Sequence, residues 1–64
     1  MKLYKIENYY TSTDINIVAT NIKEALTKYE EWVEENFRYS YGSTPDKVME
    51  SIIKIEYIQD VDLI

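Results

Sequence analysis

Ile15-Asn16-Ile17-Val18-Ala19-Thr20-Asn21-Ile22-Lys23-Glu24-Ala25-Leu26 decides the fold, because the hydrophobic period changes at Asn21. Before Asn21, Ile15, Ile17 and Ala19 share one face and Val18 the other, which reads as a strand running to Thr20. After it, Ile22, Ala25, Leu26, Tyr29, Trp32, Val33 and Phe37 recur at spacings of three and four. That is the apolar stripe of one amphipathic helix over 22–37. Its other face holds Lys23, Glu24, Thr27, Lys28, Glu30, Glu31, Glu34 and Glu35. A capping box is expected at the start. The Asn21 side chain accepts from the Glu24 N–H, and the Glu24 carboxylate reaches back to the Asn21 N–H. Glu24–Lys28 and Glu34–Arg38 have the spacing of favourable helix pairs, each worth about 0.3 kcal/mol.

Towards the N-terminus, Lys2 to Asn8 reads as a strand. Leu3-Lys5-Glu7 is its wetter face, the direction of Tyr4 and Ile6 is open, and Tyr9 and Tyr10 extend it. Thr11-Ser12-Thr13-Asp14 is a run of turn formers, so the two strands form an antiparallel hairpin. Towards the C-terminus, Arg38-Tyr39-Ser40-Tyr41-Gly42 ends the helix, with Gly42 free to take the left-handed conformation. Thr44 caps a fresh helical turn that has Pro45 at its first position and runs to about Glu50. Ser51 to Ile64 is the last strand, with Ile53, Ile55 and Tyr57 on one face and Lys54 and Glu56 on the other. Its alternation falters near Gln59, where a bulge or bend is expected, before Val61 and Leu63 resume it.

The fold class is therefore α+β, in the order β-β-α-β, as a single domain over 1–64. The helix joins parallel strands two and three by a right-handed crossover. Strand one takes the centre, which gives a three-stranded antiparallel sheet of order 2-1-3. One sheet face receives the helix and the other is uncovered.

Sixty-four residues bury only about 60% of the surface the unfolded chain exposes. A core of that size supplies roughly 3–5 kcal/mol, and small domains usually add a staple. With no Cys and no His, disulfides and zinc, copper or haem sites on those ligands are excluded. Self-association remains, so a homo-oligomer or an obligate binder is expected. No apolar stretch follows Lys2 and Lys5, since Glu7 and Asn8 interrupt it, and no run approaches a membrane span. The expected location is the cytoplasm. The net charge of −5 argues against direct nucleic-acid binding and against anionic membranes, and is compatible with a partner of basic surface.

The sharpest surface feature is the acidic block Glu30, Glu31, Glu34 and Glu35, a candidate partner-binding ridge whose bland alternative is a solvated helix face. Tyr9 and Tyr10, in or beside a loop where burial is harder, are candidate anchors, because tyrosine gives large contact area with few torsions. Arg38, Tyr39, Tyr41 and Lys47 form an alternative set that stacks on a nucleotide and neutralises its phosphate. With one Arg, however, no second fork holds such a ligand, and a helix-end cation is the simpler reading. Glu56, Asp60 and Asp62 lack the spacing and glycine turn of a calcium loop and are read as edge-strand charges. No metal or cofactor is expected. Without His or Cys the usual base and the best nucleophile are missing, and Gly42 alone builds no phosphate loop. An enzyme is the least supported class.

Lys2-Leu3-Tyr4-Lys5-Ile6, Ile17 to Ala25 and Ile52 to Ile58 resemble small accessory proteins of phages and mobile elements in AT-rich bacteria. The abundance of Ile, Lys, Asn and Tyr agrees with such an origin. The resemblance covers the β-β-α-β plan and carries over no functional residue. It implies a class in which many members bind and block a host factor, as anti-CRISPR and other counter-defence proteins do. Others sequester a nucleotide immune signal. Together with the acidic ridge it points first to a non-enzymatic inhibitor of a host defence protein that handles nucleic acid. An oligomeric nucleotide sponge comes second. A structural phage accessory subunit that uses the bare sheet face comes third.

Overall fold

The computed structural model describes residues 1–39 and 41–62. Its order is β1 (Lys2–Asn8), β2 (Ile15–Ala19), α1 (Ile22–Phe37), α2 (Pro45–Glu50) and β3 (Ile52–Asp60). The sheet is three-stranded with β1 in the centre, antiparallel to both neighbours. The expected α+β class, strand order and short helix before the last strand are all present.

Each element follows from local chemistry. β1 turns Tyr4, Ile6 and Asn8 inwards, which resolves the direction left open by its mixed pattern. β2 buries Ile17 and Ala19 on the same side. In α1 the inner column is Ala25, Tyr29 and Val33, at four-residue spacing, with no exposure at any of the three. Leu26, Trp32 and Phe37 flank it half-buried, while Ile22 at the first turn stays half-exposed. Thr44 caps α2 by accepting from the Lys47 N–H, Pro45 opens it, and its Val48 is fully buried. Gly42 has φ +81°, the left-handed backbone that reverses the chain between the two helices.

The helices cover the sheet unevenly. α1 packs most closely on β2 and on α2. The β2 side of the sheet is consequently sealed, whereas on β3 Tyr57 and Ile58 remain 51% and 43% exposed. Tyr57 rests edge-on against Tyr4 at 6.1 Å. The opposite sheet face sets the Leu3–Val18 pair beside ion pairs: Lys5 pairs with Asp14 at 3.7 Å and Glu56 at 3.5 Å, and Lys54 approaches Glu56 at 3.8 Å.

Several local expectations are corrected. β1 stops at Asn8, and Tyr9 and Tyr10 form a turn, because the Asn8 side-chain oxygen accepts from the Tyr10 N–H at 2.9 Å and diverts the backbone. The Asn21 cap forms at 2.9 Å, but the reciprocal half does not. Glu24 instead accepts from the Thr20 hydroxyl at 2.8 Å and the Thr20 N–H at 3.3 Å, one residue earlier. Glu24–Lys28 is present at 3.5 Å, whereas Glu34–Arg38 is not among the ion pairs of the described residues. β3 has two register shifts against β1, which leave Ile53 and Ile58 as extra residues. The bulge expected near Gln59 is the second; the first, at Ile53, leaves that side chain 64% exposed and takes it out of the shared face with Ile55. Leu63 and Ile64, read as the strand's tail, lie outside the described residues.

Candidate functional site

Asn8 organises the turn that walls a concave region of the surface. It is 5% exposed, and its side-chain amide donates to the Val48 carbonyl at 2.6 Å. Its side-chain oxygen takes the Tyr10 N–H, and its backbone carbonyl accepts from both the N–H and the hydroxyl of Thr11 at 3.3 Å. These bonds tie the end of β1 to α2 and curl the β1–β2 connection into a fixed turn. Tyr9 is thrown outwards, 76% exposed, while Tyr10 turns in, with the two rings edge-to-face at 5.2 Å.

Tyr10 then becomes one wall of a groove of about 310 Å³ between this turn and the last turns of α1. Trp32, Phe37 and Ile15 supply the apolar surface, and Thr11, Ser12, Thr13 and Asn36 the polar rim. Trp32 is held on both sides, stacked at 5.7 Å on buried Tyr29 and edge-on at 6.2 Å to Phe37. The Asn36 amide donates back to the Trp32 carbonyl at 2.7 Å. The volume suits one side chain or a small planar group rather than a large cofactor.

Glu30, Glu31, Glu34 and Glu35 are all exposed, on the face of α1 turned away from the sheet. Among the described residues none of the four pairs with a cation. Lys28, the nearest helical cation on the N-terminal side, is held by Glu24 and by the Val18 carbonyl at 2.8 Å. The column Glu31–Glu35 lies one helical step beside the column Trp32–Asn36, so the ridge borders the groove along α1. Glu30 and Glu34 lie on the far side of that ridge.

The structure places Tyr10 in the groove wall with Tyr9 edge-on against it, and Glu31 and Glu35 next to the Trp32–Asn36 column of α1. It does not gather the alternative nucleotide set. Tyr39 and Tyr41 stand 87% and 102% exposed, and Arg38 and Lys47 are exposed on different helical segments, so the set offers no wall to enclose a base. Glu56 is engaged by Lys5 and Lys54, and Asp60 accepts from the Tyr57 hydroxyl at 2.8 Å. That bond holds the Tyr57 phenol above its usual value of 10.0. Among the described residues no three acidic side chains gather to hold a metal ion, and no helix is long and apolar enough to cross a membrane.

Sequence reasoning placed Trp32 and Phe37 only in the core. Periodicity cannot distinguish a core residue from a groove wall, because both sit on the same stripe. Asn8 left no signal, since a polar residue at a strand end reads as solvent-facing. Comparison with protein-family models, curated proteins and solved structures finds no match. What defines the class of this chain is its own geometry: a β-β-α-β domain with an aromatic groove bordered by an acidic helix.

Proposed function

We propose that the protein is a non-catalytic inhibitor that docks on a basic surface of a host protein, of the counter-defence kind. The observation supporting this reading is an acidic ridge, unpaired among the described residues, whose Glu31 and Glu35 border a pre-formed aromatic groove. Cations of the partner meet the ridge, and an apolar or aromatic partner side chain enters between Tyr10, Trp32 and Phe37, with Tyr9 packing over it. Two kinds of contact on one rigid helix give charge steering and a fixed register together.

The test is capture of the partner from nuclease-treated host lysate by tagged protein, with Glu30, Glu31, Glu34 and Glu35 all reversed to Lys as the control. The expected result is a single host protein retained by the native chain and lost by the reversed one, while circular dichroism shows both folded. Retention by both would remove the ridge from the mechanism. A melting temperature raised by a cyclic dinucleotide, with no protein captured, would replace this reading with the nucleotide sponge.

A further inference from the structure

We infer that β3 pairs with β3 of a second copy, which joins two three-stranded sheets into one six-stranded antiparallel sheet. The two edges of the sheet differ. On β2 the outward Val18 carbonyl is occupied by the Lys28 ammonium at 2.8 Å. On β3 nothing comparable covers the edge among the described residues. The direction of its peptide groups follows from both ends of β1. Met1 accepts from the Val61 N–H at 2.8 Å and the Tyr9 N–H donates to Ser51 at 3.1 Å, so the odd-numbered residues of β1 face β3. Lys5 and Glu7 are matched to Glu56 and Lys54, whereas Tyr57 and Ile55 are matched to Tyr4 and Ile6, which face β2. The N–H and C=O of Ile55 and Tyr57 consequently point out of the free edge.

The side chains along that edge are self-complementary. Read about a twofold axis at Ile55, within the regular stretch Lys54–Tyr57, Lys54 falls opposite the partner's Glu56 and Ile55 opposite the partner's Ile55. Opposite charge meets opposite charge, and isoleucine meets isoleucine at the axis. Lys54 and Glu56 occupy the pairs that lack hydrogen bonds across the new interface, where side chains approach most closely. The exposed Ile53, Tyr57 and Ile58 gain cover they lack in one chain. The two bulges bound the regular stretch to Lys54–Tyr57, which limits the pairing to its centre. An isologous pair of this kind closes on itself and leaves no further β3 edge. The groove lies on the β2 side of the sheet and stays free, so this inference is independent of the partner reading.

Sedimentation equilibrium from micromolar to millimolar concentration tests it. The native chain is expected to reach twice its 7.7 kDa mass. Lys54→Glu and Glu56→Lys are each expected to be monomeric alone and to form a one-to-one heterodimer when mixed. Ile53→Lys, a change at an exposed position that spares the fold, is expected to weaken the dimer at least tenfold. In the native dimer the Ile55 and Tyr57 amides exchange slowly with solvent, and in Ile53→Lys at low concentration they exchange fast. A native chain that stays monomeric at every concentration, or an edge that binds only foreign peptide, overturns the inference. So does a dimer indifferent to Ile53→Lys and to both charge changes.

Discussion

Asn8 shows how much one side chain can settle. It is the only buried polar residue in the described core, and both ends of its amide are used, one on α2 and one on the turn after β1. Asn8→Ala leaves the Tyr10 N–H without its acceptor and takes one of two donors from the Val48 carbonyl, which keeps the Ser51 N–H. A buried partner left unsatisfied costs about 1–3 kcal/mol, a large fraction of what a domain this small has. Urea unfolding is expected to show that loss, together with a Tyr9–Tyr10 turn that no longer gives a fixed set of NMR shifts. Tyr29 is the opposite case. Its ring is fully buried, and its hydroxyl has no hydrogen-bond partner. Burial raises the phenol above its ordinary 10.0, and the nearby Asn8 amide tempers the rise without forming a bond of good geometry. Tyr29→Phe removes a polar group that gains nothing, and is expected to stabilise the fold by about 1 kcal/mol. Because the folded state holds the Tyr29 proton more tightly than the unfolded chain, stability is complete below pH 10 and falls as pH rises through the raised value. The variant should lose less stability than the native chain in that alkaline range. A clear destabilisation by Tyr29→Phe would show that the hydroxyl is bonded after all.

At the scale of elements, the first turn of α1 is held by a relay rather than a simple box. Asn21 caps the Glu24 N–H, and Glu24 reaches past it to Thr20. The Thr20 hydroxyl and N–H, then Lys28, hold the Glu24 carboxyl below its ordinary 4.5. A depressed carboxylate contributes stability that is present above the unfolded value and lost as pH falls through the folded one. Acidification below about 4.5 is therefore expected to fray α1 from its N-terminus first. An NMR titration of Thr20→Val should return the Glu24 carboxyl towards 4.5; an unchanged midpoint would mean that Thr20 does not set it. In β3 the governing device is the pair of bulges. Each adds one residue against β1, and the one at Ile53 lets Ile52, three residues before Ile55, meet the same helix side of the sheet as Ile55 and Tyr57.

For the molecule as a whole, charge and cover are distributed so that each surface differs. The sheet's open face carries a lattice of ion pairs around Lys5 and Glu56. The C-terminal half of the outer face of α1 carries four glutamates that are unpaired among the described residues, and the β3 edge is apolar with one cation and one anion at its centre. With a net charge of −5 the ridge adds to a field that favours basic partners. Binding through it should weaken steeply between low and physiological salt, because exposed charges are screened over about 8 Å at 0.15 M ionic strength. Salt-indifferent capture of the partner would leave the groove, rather than the ridge, as the source of affinity.

The element order, both helix caps, the reversal at Gly42 and the central place of β1 were legible in the sequence. Each rests on local chemistry: a change of hydrophobic period, a side chain that satisfies an end N–H, a residue without a Cβ. The inward direction of Tyr4 and Ile6, the end of β1 at Asn8, the shift of Glu24 to Thr20 and the bulge at Ile53 were not. Neither was the groove, because Trp32 and Phe37 show the same spacing whether they fill a core or line a cleft. These features depend on what lies opposite a residue in space, and only the packing of α1 and α2 over β2 and β1 sets that. Local sequence determined which elements form and in what order. The tertiary structure alone decided which side chains they bury, which they pair and which they leave for a partner.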